Sequence, residues 1–245
     1  MKLDAAAIRA MKGRVRIPVL TAYTAPVARS LARAGIQVVV VGDSVGMAEM
    51  GFANTRDVSL DHIAYHVGAV RRGAPALHIV GDLPSGTYDS PEAGLQSARV
   101  LLAAGADSIK LEGPACDVIA CLVGNGISVV GHAGLTPQTA RNFRQVGREP
   151  ADAARVLQAA TAIAQAGAFM MIVEHVPADL GTAITAAVDI PTIGIGAGDR
   201  CDGQVMVIND LLGIGERWPP FSRQYAQVSR LTEDVVQAYI RDVRG

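Results

Sequence analysis

Aromatic residues are scarce in this chain of 245 residues, at 4% of the total. A core for a domain of this size must come from aliphatic side chains, and the sequence is 50% hydrophobic. An excess of charge of either sign is also missing, since 22 Lys and Arg against 23 Asp and Glu leave a net charge of −1. With no Lys/Arg run, the chain lacks the footprint that neutralises phosphates, which excludes nucleic acid as its main partner. No apolar stretch approaches the roughly 18 residues of a membrane span, so no membrane partner is expected. The N-terminus carries an acid at Asp4 and lacks a long apolar region ahead of a cleavage site, which predicts a cytoplasmic protein. The three cysteines, Cys116, Cys121 and Cys201, form no C-x-x-C pair and sit by no His cluster. That spacing excludes a disulfide framework and a zinc site and leaves structural thiols.

What the sequence does contain is a repeated alternation. Short β-branched runs recur at 17–23, 37–42, 77–82, 108–112, 127–132, 169–175, 191–196 and 204–210. Ala-rich segments with helical spacing lie between them at 25–34, 60–72, 91–104, 116–124, 151–166 and 178–188. Near-continuous apolar strands joined by helices predict a parallel sheet. Eight such units in about 250 residues fit a (β/α)8 barrel (TIM barrel), with a doubly wound open sheet as the alternative. No linker or low-complexity segment divides the chain, so one domain is expected, with a C-terminal helical extension over about 221–245. Gly35, Gly73, Gly105 and Gly167 suit left-handed caps after their helices.

In a barrel, functional groups gather at the C-terminal ends of the strands. Five consecutive strands end in ionisable residues: Asp43-Ser44, Asp82, Lys110-x-Glu112, His132 and Glu174-His175. Buried charges must pair or hold an ion, and Asp43, Asp82 and Glu112 can share a hard divalent cation. Lys110 and Glu112 lie two apart and therefore face one side, where Lys110 would stabilise an anionic substrate. Taken singly, each carboxylate also reads as a cap for the following helix. Glu174 follows a very apolar approach that raises a carboxyl pKa and poises it as a base, with a structural salt bridge as the alternative. His132 orients substrate, donates to an oxyanion or satisfies a backbone carbonyl, and the sequence leaves these open.

Other patterns are weaker. Gly194-Ile195-Gly196-Ala197-Gly198 resembles a phosphate loop but breaks the G-x-G-x-x-G spacing and sits late in the chain. Close approach of its backbone to a ligand remains reasonable. His62 and His66 have i, i+4 spacing, but Ile63 stands where a zinc protease needs Glu, so both are expected on a helix surface or interface. Arg71-Arg72 complement the dipole of that helix. No G-x-S-x-G elbow supports a hydrolase.

Taken together, the strand-end motifs resemble the ketopantoate hydroxymethyltransferase family. The likeness runs from Leu20-Thr21-Ala22-Tyr23 through Val41-Gly42-Asp43-Ser44-Val45-Gly46-Met47, Lys110-Leu111-Glu112-Gly113 and Gly131-His132-Ala133-Gly134-Leu135-Thr136-Pro137-Gln138 to Pro191–Gly198, over about residues 17–225. The resemblance implies a cytoplasmic (β/α)8-barrel homo-oligomer, usually a decamer. It also implies Mg2+ and the co-substrate 5,10-methylenetetrahydrofolate, used to hydroxymethylate 3-methyl-2-oxobutanoate to 2-dehydropantoate. By position, it places Asp43, Ser44, Asp82, Lys110 and His132 at the 2-oxo acid, Asp43, Asp82 and Glu112 at the metal, and Glu174 as proton acceptor. The chain departs from the family pattern at Ser85-Gly86-Thr87-Tyr88, over 141–148, at Arg56-Asp57 and at His175. Those segments leave three competitors: a relative acting on another 2-oxo acid, a folate-independent carbon-carbon lyase on a similar barrel, and a scaffold that binds without turnover.

Overall fold

The computed structural model describes residues 2–245. Eight parallel strands close into a barrel in sequence order: β1 (Ile17–Thr21), β2 (Val38–Val41), β3 (His78–Asp82), β4 (Ser108–Lys110), β5 (Val129–Gly134), β6 (Met170–Glu174), β7 (Thr192–Ile195) and β8 (Gly203–Met206). The helices are α1 (Ala5–Arg9), α2 (Ala25–Arg33), α3 (Val45–Ala48), α4 (Leu60–Gly73), α5 (Pro91–Ala104), α6 (Cys116–Gly124), α7 (Pro150–Gln165), α8 (Ala178–Ala187), α9 (Ile208–Leu212) and α10 (Val228–Arg244). Among the described residues no helix is long and apolar enough to cross a membrane. Cys116, Cys121 and Cys201 are free thiols.

The strand pleat sorts side chains into two cores. Val39, Val41, Ile79, Ile109, Val129, Met171 and Val173 point outward and pack under the helices. Val38, Val40, Val80, Val130, Met170 and Ile172 fill the barrel interior. Continuing that inward set by two residues reaches Asp82, His132 and Glu174, and Lys110 lies two beyond the buried Ser108 of β4, so alternation delivers these polar groups to one mouth. The opposite mouth is closed by α1, whose Ile8 is fully buried in the interior core. There His78 donates to Leu3 O through Nδ1 (3.0 Å), while Nε2 meets Ser108 Oγ at 2.9 Å.

Several expectations shift at the boundaries. The eighth strand, expected over 204–210, ends at Met206, and Ile208–Leu212 is helical. The reason is local, because Thr21 Oγ1 accepts the Ile208 N–H (3.0 Å) and serves the orphan donor of a new helix start. Gly35, Gly105 and Gly167 do have positive φ, but Gly73 does not. A Cβ on Gly73 would lie 2.3 Å from Ala25 O, so this glycine lets α4 meet the start of α2. Arg71 acts by direct bonds as well as through the dipole, donating to Gly105 O, Pro75 O and Leu77 O and pairing with Asp107. The ring of His62 completes a capping box by accepting the Ser59 N–H (3.1 Å), and His66 Nδ1 donates to Tyr23 O (2.7 Å). Both histidines are structural.

Candidate active site

Register builds the site. Asp82 lies opposite Lys110 across β3 and β4, and both point inward. The ammonium of Lys110 donates to both carboxylate oxygens of Asp82 at 2.8 Å. Burial opposes the charge on Lys110, but Asp82, Glu112 and Asp43 outweigh it and hold the ammonium above its ordinary range. Burial pushes Asp82 up, against the pull of Lys110. Asp43, in the turn after β2, donates its backbone N–H to Asp82 Oδ2 (3.3 Å). Glu112 is pushed up to about 9, chiefly by burial, with Asp43 and Asp82 adding repulsion. Ser44 shares a 2.8 Å hydrogen bond with the Tyr23 hydroxyl.

Glu174 ends β6, and its side chain keeps 19% of its surface open. Burial raises its carboxyl to about 8, and Asp43 and Asp82 add to the shift. Its Oε2 lies 3.4 Å from His132 Nε2. His132 is held neutral by burial and by the nearby Lys110. Its Nε2 meets Leu135 O at 2.8 Å; a carbonyl only accepts, so Nε2 carries the proton. Nδ1 is then an acceptor, buried without a partner and 3.9 Å from Glu112 Oε1. Of the roles left open for His132, the carbonyl bond is observed, and its proton is committed to it.

All seven expected residues thus reach one rim, around a cavity of about 510 Å³. Among the described residues, no three His, Cys, Asp or Glu side chains converge as a closed metal cage. Lys110 takes up Asp82, while Gln138 takes up Asp43 and Glu112. The donor set nonetheless fits a hard dication. Four carboxylates face a single ammonium, and the upward shifts of Asp82, Glu112 and Glu174 come first from burial and then from mutual repulsion, both of which a bound dication would offset.

Sequence reasoning missed several lining residues. Phe143, Phe221 and Met47 form an apolar outer wall, with Arg217 beside it. His175 adopts a left-handed φ of 47°, with its ring centroid 5.1 Å from that of Phe221. Phe221 also fills the space beside Gly196, where a Cβ would meet its ring at 2.7 Å, so the close approach expected of this glycine-rich segment is to protein. Gln138 and Tyr88 escaped because nothing in spacing marks a loop amide as buried. The quoted motif ending at Gln138 was the available signal.

Comparison with known proteins adds to this geometry. The family profile described as ketopantoate hydroxymethyltransferase matches residues 2–245. A 3-methyl-2-oxobutanoate hydroxymethyltransferase of Pyrobaculum calidifontis is 42% identical over 239 residues, covering 95% of this chain and 90% of its own. That of a Cyanothece species is 46% identical over 236 residues, covering 93% and 90%. Among solved structures, the phosphoenolpyruvate phosphomutase of Streptomyces platensis subsp. rosaceus superposes with a TM-score of 0.66 at 14% identity, covering 99% of this chain and 88% of that one. At that identity the likeness is one of fold.

Proposed function

This chain belongs to the ketopantoate hydroxymethyltransferase family, whose members transfer one-carbon units, and from that membership we propose how its rim performs the reaction. The substrates are 3-methyl-2-oxobutanoate and 5,10-methylenetetrahydrofolate, and the product is 2-dehydropantoate. The observation that carries this reading is Glu174, a carboxyl raised to about 8 at the end of an apolar strand, on the same rim as Lys110.

Glu174 removes the C3 proton of the oxo acid, and the bonding pair moves onto the carbonyl oxygen to give an enolate. Lys110 offsets the negative charge that develops there. Asp43, Asp82 and Glu112 would hold Mg2+. Bound there, it supplies a Lewis acid that draws charge from the oxo and carboxylate oxygens. C3 of the enolate then forms a bond to the one-carbon unit, and both methylene-nitrogen bonds of the folate break. The proton taken from C3 and one proton of water pass to the two nitrogens of the released tetrahydrofolate, and the hydroxyl of that water stays on the product carbon. Ser44, aligned by Tyr23, binds the acid's polar end. His132, fixed on Leu135 O, walls the site beside Glu174. The apolar outer wall of Phe143, Phe221 and Met47 suits the flat rings of a folate.

The test is proton NMR on purified protein with both substrates and magnesium, beside the same mixture in deuterium oxide without the folate. Product together with folate-independent exchange at C3 is expected. Exchange without product would instead favour another acceptor, as in the folate-independent reading, and binding without either would favour a silent scaffold.

The protein is read here as a cytoplasmic homo-oligomer. Free thiols suit a reducing compartment. For assembly, the support is α10, which has no buried residue and exposes Leu231, Val235, Tyr239 and Val243 along one stripe.

A further inference from the structure

Gln138 is a neutral residue that touches two of the rim's acids, one through its backbone and one through its side chain, and it is only 3% exposed. Its backbone N–H donates to Glu112 Oε2 (3.1 Å). Its side-chain Nε2 donates to Asp43 Oδ2 (2.9 Å) and to Leu83 O (3.0 Å). Its Oε1 accepts from the Tyr88 hydroxyl at 2.6 Å. The orientation of the amide follows from proton counting. The Leu83 carbonyl and the Asp43 carboxylate only accept, so Nε2 must face them, and Oε1 must turn towards Tyr88. Burial raises the Tyr88 hydroxyl above its ordinary range, so it keeps the proton that it donates. Every hydrogen-bonding position of this amide is therefore engaged except one lone pair on Oε1. Removing the Tyr88 hydroxyl leaves a buried acceptor unpaired, which loosens the hold of the amide on Asp43.

We propose that Gln138 is a positioning residue that holds Asp43 and Glu112 in a common frame, and that Tyr88 acts through it by fixing the direction of its amide. The inference rests on the transferase reading, in which those two acids serve the metal and the oxo acid. Neither residue touches the reacting atoms, so their loss weakens assembly of the site more than the chemical step.

Mn2+ uptake, read directly from the loss of the free-ion electron paramagnetic resonance signal, tests this together with steady-state kinetics. Tyr88→Phe is expected to weaken Mn2+ binding and raise KM for 3-methyl-2-oxobutanoate, each by about three- to tenfold, with kcat within about threefold and a thermal melt lowered by no more than a few degrees. In a Gln138→Met background, which keeps the side chain's bulk, adding Tyr88→Phe should change neither quantity further. If Tyr88→Phe matches the wild type in both uptake and KM, or keeps its full effect in the Gln138→Met background, the proposal is overturned. Should Gln138→Met not fold, the single variant still decides through its KM-against-kcat split, since equal loss in both would mark a general structural defect and reject positioning. A wild-type protein that takes up no Mn2+ and exchanges no deuterium would overturn the transferase reading itself, whereas a wild type that takes up Mn2+, with both uptake and KM matched by Tyr88→Phe, overturns this proposal alone.

Discussion

Glu174 sets chemistry against stability within one side chain. An unfolded chain ionises this carboxyl near 4.5, whereas the folded protein does so near 8. Below pH 4.5 both states hold the proton and the group contributes nothing. Between those values the unfolded state loses its proton first, so folding becomes less favourable as pH rises, and above about 8 the penalty is complete. Glu174→Gln removes it. With a fifth of the side chain still open to water, we expect a gain on the order of 2 kcal/mol in metal-free protein at pH 9 and almost none at pH 4. The same variant should lose deuterium exchange at C3, and retained exchange would reject Glu174 as the base. In the wild type, exchange should climb with pH as Glu174 ionises and then level off, at a lower pH once magnesium offsets the repulsion from Asp43 and Asp82, because only the ionised carboxylate accepts a proton. A rate flat from pH 4 to 9 would contradict that assignment. Asp82 supports a further test, since Asp82→Asn leaves Lys110 without its closest counter-charge and takes a negative charge from the proposed metal ligands. Its magnesium requirement should rise at least tenfold, and an unchanged magnesium titration would dismiss Asp82 as a ligand.

At the scale of elements, the alternation of β-branched and Ala-rich segments made the barrel legible, because period-2 and period-3.6 burial are imposed by the backbone itself. The same arithmetic put Lys110 and Glu112 on one face, and their place at strand ends brought Asp43, Asp82, His132 and Glu174 to one rim. Short elements were not legible. α3 and α9 have four and five residues, too few for a period to show, and α9 starts where Thr21, far away in sequence, accepts a backbone N–H. Gly73 was misread for a related reason, since a glycine after an apolar run signals a cap, whereas its actual role is contact with a different helix. Replacing it tests that role. Gly73→Ala would drive a Cβ into Ala25 O, and an overpacked contact of this kind costs about 1–3 kcal/mol. Thermal denaturation followed by circular dichroism should show the loss, while Gly35→Ala, with open space around its Cβ, should lose only what its positive φ demands.

For the molecule as a whole, what remains unsatisfied is the end of the chain. α10 spans 17 residues without burying one, and Leu231, Val235, Tyr239 and Val243 recur at intervals of four along a single stripe. A barrel strand is normally followed by a helix that packs back on the sheet. Here β8 is followed only by the short α9, and an outer cavity of about 370 Å³ opens at β1 and β8, lined by Pro18, Leu20, Ile36, Met206 and Tyr225. An apolar stripe and an apolar groove lie exposed on the same protein, which supports a second copy as the proposed partner. Burying each large side chain of the stripe is worth about 1.5–3 kcal/mol, enough in sum to hold an assembly together. Val235→Asp combined with Tyr239→Asp should therefore lower the mass measured by light scattering while leaving the barrel's circular dichroism intact. Lys110, Glu174 and the acids around them come from β2 to β6 and the loops that follow, so deuterium exchange should persist in the dissociated protein. A wild type that runs at 25.5 kDa, or a variant whose mass does not fall, would remove α10 from the assembly.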